Sequence, residues 1–160
     1  PLKRAVGLDF SFEMLKASKP SFGSKAGLLN ADFHHLPLSS QSFDLVISAF
    51  TLRSVKEMPV FLEEIHRILR PKGKAAFLCL TRPKNFFWKL LYYPYLKFYL
   101  PLMGGLISGN KAAYQFLSAS IMSFQEPVEI ARMLEQTGFT STEIHSFSMG
   151  MATLIVGQKN

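Results

Sequence analysis

The sequence has a single cysteine, Cys79, among 160 residues, which excludes an internal disulfide framework and fits a reducing, cytoplasmic setting. It has no run of five basic residues and no zinc-ligand spacing. His34, His35 and His66 do not stand at metal-binding intervals, so neither a nucleic-acid partner nor a metal is expected. It has no signal peptide and no initiator Met. It opens Pro1-Leu2-Lys3-Arg4, runs straight into an apolar stretch, and so reads as a fragment. It lacks the uninterrupted run of about 20 apolar residues that a membrane span needs. What is present is globular in character: 48% hydrophobic and 18% charged residues, enough for one domain with a real core. The net charge of +7 favours anionic partners.

The order of elements argues an α/β fold with a largely parallel sheet. Residues 5–8 form a short apolar run ending at Asp9, as a buried parallel strand does. Ser11 is placed to cap a helix over 12–19 that Pro20 closes. A loop over 21–25 and a second strand over 26–30 follow, then a turn-rich stretch over 34–42. The clearest strand is 43–50. After it comes a helix opened by Pro59, with Phe61, Ile65, Ile68 and Leu69 on one face. Pro71-Lys72-Gly73 stops that helix before a strand over 75–80. A helix over 127–137, capped by Gly138, precedes strands over 139–147 and 151–156, joined at Gly150. No helix separates these last two strands, so they should pair antiparallel.

Between residues 82 and 110 aromatic and aliphatic side chains crowd together. Lys89, Lys97, Pro94, Pro101 and Gly104-Gly105 interrupt them. Two readings stay open: an amphipathic lid or interfacial segment with lysines reaching headgroups, or ordinary helices completing the core. Residues 82–110 are expected to be mostly helical and to cover an acceptor pocket, within an acceptor-side lid over 82–121; peripheral contact with a membrane belongs to the first of the two readings.

Two acids are placed for ligand work. In doubly wound sheets, ligands sit beyond the carboxyl ends of the strands. Asp9, followed by Phe10, stands at such an end, where a carboxylate can accept two hydrogen bonds from a ribose diol; the alternative is a helix-capping Asp. Asp32 follows the second strand and can accept from an adenine amino group while Phe33 packs the ring; the alternative is a turn residue. The two carboxylates are expected to face one cleft.

These signals, with Ser42-Phe43-Asp44-Leu45-Val46-Ile47 and with Arg67-Ile68-Leu69-Arg70-Pro71-Lys72-Gly73, resemble the class I S-adenosylmethionine-dependent methyltransferases. The resemblance narrows further along the chain. Ala49-Phe50-Thr51-Leu52-Arg53-Ser54-Val55 looks like the Phe-Gly-Leu-Arg-Asn segment of the ubiquinone/menaquinone biosynthesis C-methyltransferases. Tyr114-Gln115-Phe116-Leu117-Ser118-Ala119-Ser120-Ile121 resembles their Tyr-Arg-Tyr-Leu-x-Glu-Ser-Ile, and Gly138-Phe139 and His145 fall in register.

The resemblance implies a Rossmann-like fold, S-adenosylmethionine as cofactor, and methylation of a ring carbon on a lipophilic, quinol-like acceptor. Asp9, Phe10, Asp32, Phe33 and Ala49 would lie on the cofactor side. Arg53 would stabilise the acceptor's phenolate or orient a water, unless it only pairs with Glu57. His145 would accept a proton, or is structural; Tyr114 would hydrogen-bond the ring oxygen, or packs. The sequence departs from the family at Ser54 for Asn, Ala119 for Glu, Gln125 for Pro and Ile155 for His. These departures keep open another lipophilic acceptor, and a non-catalytic fragment remains the alternative of a different class. The family's first strand and Gly-rich loop would lie before Pro1. The sheet should then close by direct pairing of 5–8 with 43–50 or be completed by another chain, and cofactor binding by this chain should be weak.

Overall fold

The computed structural model describes residues 5–22 and 26–160. Two parallel strands, β1 (Val6–Asp9) and β2 (Gly27–Asn30), flank α1 (Phe12–Phe22). The expected closure of α1 before Pro20 does not occur. Proline at the last turn removes one N–H donor where few helical bonds remain to be lost, so the helix continues to Phe22. Of the expected loop over 21–25, residues 23–25 lie outside the described residues, as does the opening 1–4.

The main sheet has four strands: β3 (Phe43–Ala49), β4 (Leu69–Leu80), β5 (Phe139–Phe147) and β6 (Ala152–Lys159), in the spatial order β3-β4-β6-β5. β3 and β4 are parallel, and β6 runs antiparallel to both its neighbours. β4 begins earlier than expected, because Leu69 already pairs with Phe43. Residues 70–73 then bulge before Lys74 pairs with Leu45. Lys72 sits at φ 64°, and a Cβ at Gly73 would lie 2.8 Å from the Arg70 carbonyl, so this short excursion needs a glycine there.

α2 (Met58–Ile68) and α6 (Pro127–Gln136) cover one face of this sheet. α2 buries Phe61, Leu62, Ile65 and Ile68, and α6 buries Ile130, Ala131 and Leu134, against Phe77, Phe139 and Ile155. At roughly 1.5–3 kcal/mol for each large apolar side chain, this cluster is the main source of stability. Between β4 and α6 run α3 (Phe86–Pro94), a wide turn of π-helix (Tyr95–Tyr99), α4 (Leu100–Ser108) and α5 (Lys111–Ser123).

The expected direct pairing of β1 with β3 does not form. Among the described residues β1 pairs only with β2, and β3 only with β4. Leu8 and Phe33 instead pack against the main cluster, so side-chain anchoring, not backbone pairing, sets where the β1–β2 pair sits. The two edges are left facing a cavity.

Candidate active site

That cavity has a volume of about 1030 Å³. Its floor is apolar, with Leu8, Val46, Phe61 and Ile65, and its rim carries Asp9, Asp32 and Arg53. Phe10, Phe33 and Ala49 line it as well, so six of the eight residues singled out from sequence meet at one place.

Asp9 is the last residue of β1. Its Oδ1 accepts the Ser11 backbone N–H at 2.8 Å, and the Ser11 hydroxyl accepts the Met14 N–H at 3.3 Å, so the strand end and the start of α1 are fixed together. Asp32 accepts two bonds on Oδ1, from the His34 backbone N–H at 2.9 Å and from His34 Nδ1 at 2.7 Å. The backbone and ring bonds from His34 hold the Asp32 carboxyl below the usual carboxylate range. His34 Nε2 in turn accepts the Glu57 N–H at 3.4 Å, which leaves the ring proton on Nδ1. Both acids thus serve their own turns with one oxygen. Each leaves Oδ2 without a protein partner among the described residues, and both residues line the cavity. Phe33 meets Phe61 edge-on at 6.2 Å, which ties its ring to the core.

Arg53 lies in a single 3-10 turn (Leu52–Ser54) beyond the carboxyl end of β3. Its Nε donates to the Phe50 carbonyl at 3.2 Å and its Nη1 to the Ser120 hydroxyl at 2.9 Å. Ser120 passes its own proton to the Leu117 carbonyl at 2.8 Å. The alternative pairing of Arg53 with Glu57 does not form among the described residues. Phe50 holds φ 61°, a left-handed backbone uncommon for an aromatic residue, at the point where the chain turns into the site.

The structure does not bring the other two residues here. Tyr114 on α5 lies flat over Gly104 of α4, so close that a Cβ on Gly104 would overlap its ring. His145 is on β5, separated from β3 by β4 and β6, and pairs with Glu143 at 2.9 Å. Neither lines the cavity, and no residue of 82–121 does; that segment reaches the site through Ser120. Ser11 caps α1 as read from sequence, and its N–H also holds Asp9. Sequence reasoning missed His34 and Ser120 as partners of the site. His34 follows Asp32 by two residues, the spacing of a local side-chain turn, and was legible. Ser120 is brought in by tertiary packing from 67 residues away.

The family model for the ubiE/COQ5 methyltransferase family matches residues 3–159. The chain belongs to that family. A demethylmenaquinone methyltransferase of Staphylococcus aureus is 34% identical over 161 residues, spanning 99% of this chain and 67% of the relative. Among solved structures, a SAM-dependent methyltransferase from Aquifex aeolicus superposes with a TM-score of 0.67 at 14% identity, over 98% of this chain and 69% of that one. A SAM-dependent methyltransferase from Thermotoga maritima, described as a possible histamine N-methyltransferase, gives 0.68 at 19% identity, over 100% of this chain and 75% of that one. The fold is therefore the Rossmann-like class I methyltransferase fold, and the family's cofactor is S-adenosylmethionine. The donor set fits the adenosine half of that molecule: two carboxylates, each with an oxygen to spare, flank an aromatic wall in one cavity.

Proposed function

We propose that this methyltransferase methylates a ring carbon of a lipophilic, quinol-like acceptor. The observation that carries the reading is Arg53, a cation on the rim of the cofactor cavity, held in place by the Phe50 carbonyl and the Ser120 hydroxyl. Bound S-adenosylmethionine supplies an electrophilic methyl group on a sulfonium. Asp9 and Asp32 hold the adenosine through their free oxygens, and Phe33 packs its ring. A phenol becomes a carbon nucleophile as its proton passes to water in the open cavity, Arg53 would stabilise the oxyanion, and the ring carbon that takes the methyl gives up its own proton to water as the ring becomes aromatic again. The name of the Staphylococcus aureus relative supports a quinol-type acceptor. Ser54 and Ala119, which adjoin Arg53 and Ser120 in sequence, differ from the family pattern and favour a related lipophilic acceptor as the second reading.

The test is incubation with millimolar methyl-labelled cofactor and either demethylmenaquinol or a lipid extract, followed by identification of the labelled product. Label on the quinol ring supports the first reading, and label only on another lipid supports the second. Arg53→Ala should lower kcat about 10²–10³-fold with little change in cofactor affinity, the usual cost of losing one oxyanion-stabilising group. An unchanged kcat removes Arg53 from the chemistry.

A further inference from the structure

Between Glu64 and Glu126 the chain contains no aspartate or glutamate. Within that stretch α3, the π turn and α4 follow one another without a break. One side of this segment touches the body of the protein: Leu96, Pro101 and Gly104 are buried, the last beneath Tyr114. α3 itself buries no residue. Elsewhere Phe87, Leu91, Tyr95, Phe98, Leu102 and Leu106 recur every three or four residues, the spacing of one helical side, and all are exposed. Phe86 and Ile107, at its two ends, are 80% and 81% exposed. Contiguous apolar surface of this kind marks an interaction site.

The charges on this surface are of one sign. Lys84, Lys89, Lys97 and Lys111 punctuate it, and none forms an ion pair among the described residues. Lys97 Nζ lies 5.6 Å above the Phe98 ring, a cation next to a side chain that water does not favour. A second copy of this chain would meet lysine with lysine, with no acid to pair.

We propose that the surface formed by α3, the π turn and α4 docks this protein onto an anionic lipid bilayer. Its aromatic and aliphatic side chains enter the boundary between headgroups and acyl chains, and the lysines reach the phosphates. The segment lies along the surface; among the described residues no helix is long and apolar enough to cross. The docking rests on exposure and charge, and stands independently of which acceptor is methylated. It gives α5 a position between the bilayer and the site, because α5 packs on α4 at Tyr114 and holds Arg53 through Ser120.

The test is flotation of the 160-residue chain with vesicles of phosphatidylcholine alone and of phosphatidylcholine with about one third phosphatidylglycerol, at low salt. The chain should float with the anionic vesicles far more than with the neutral ones. Each lysine near an anionic surface is worth roughly a fivefold factor in partitioning, so Lys89→Ala with Lys97→Ala should lower it about 25-fold. Phe98→Ser with Ile107→Ser should abolish flotation while the circular dichroism spectrum and thermal midpoint stay unchanged. Equal partitioning into neutral and anionic vesicles overturns the proposal, as does flotation insensitive to both variants. A dimer in sedimentation that dissociates in Phe98→Ser/Ile107→Ser, from a chain that binds no vesicles, overturns it in favour of self-association.

Discussion

A carboxylate has two oxygens, and Asp9 and Asp32 each use one to hold a local turn, which is why a capping residue and a ligand residue are not alternatives at these positions. The two roles separate by substitution. Asp9→Asn keeps an oxygen for the Ser11 N–H, whereas Asp9→Ala also loses that bond, worth about 0.5–1.5 kcal/mol. Asp9→Asn should therefore leave the thermal midpoint nearly unchanged and weaken cofactor binding by about 1.5–3 kcal/mol in titration calorimetry, the scale of a charged hydrogen bond. Unchanged affinity would show that the second oxygen holds nothing. His66 illustrates a titration invisible in sequence. Burial, and then the nearby Lys159 ammonium, push its pKa below the ordinary value of 6.5. Its folded form is neutral, so the unfolded chain takes up the proton first, and stability present above pH 6.5 is lost as pH falls through the folded pKa. Urea midpoints at pH 7.5 and 5.5 should differ less in His66→Gln than in the wild type; an identical pH dependence would place the loss elsewhere. Cys79 is shielded too: burial pushes its thiol up to about 12. That thiol should resist iodoacetamide in the native state and react once urea unfolds the chain.

At the scale of the element, α2 organises the stretch that carries Asp32. Glu64 accepts the Leu36 N–H at 2.7 Å, and Arg67 donates to the Leu36 and Leu38 carbonyls at 2.9 and 2.8 Å while pairing with Glu64. The hydrogen bonds from Arg67 hold the Glu64 carboxyl below its usual range. An irregular stretch rich in serine thereby gains fixed backbone partners. Arg67→Ala should cost about 1.5–3 kcal/mol in urea unfolding, because two carbonyls and a partly buried carboxylate lose their donor; Arg67→Lys, without the planar fork, should recover little of it. A loss no larger than that of an exposed ion pair would mean the stretch holds itself. α2, α6 and β3 were legible from sequence because each carries an apolar period matching its geometry, with proline at the helix starts. The end of α1 and the start of β4 were not. Both were read from a proline or a Pro-Lys-Gly run as stops, and the chain passes through each, at a helix end in one case and in a bulge in the other.

At the scale of the whole molecule, long-range pairing is what the sequence did not specify. Two short apolar runs look equally able to pair with each other, yet β1 and β3 stay apart, with Leu8 and Phe33 packed against the core that α2 helps to form. The unpaired edges carry little penalty, since the cavity between them is open to solvent: Ile47 and Phe10 on its walls are 72% and 69% exposed. The same pattern of placement explains why Asp9, Asp32 and Arg53, chosen at strand ends, line the cavity while Tyr114 on α5 and His145 on an edge strand lie away from it, since position beyond a parallel strand's carboxyl end is a rule of the fold and the other two positions are not. The openness has a consequence for affinity. The described walls carry two carboxylates and aromatic surface, which the proposed function assigns to the adenosine half of the cofactor. They include no glycine at which a backbone could approach the methionine half closely. Binding should then rest on the two acids and Phe33, without the enclosure that usually covers most of a ligand of this size. The 160-residue chain is expected to bind S-adenosylmethionine with a Kd weaker than about 100 µM, and to bind adenosine within about tenfold of the whole cofactor, because the methionine part gains little here. Calorimetry with both ligands decides it. Low-micromolar affinity for S-adenosylmethionine, or a hundredfold preference for it over adenosine, would show that other atoms of this chain hold the methionine half.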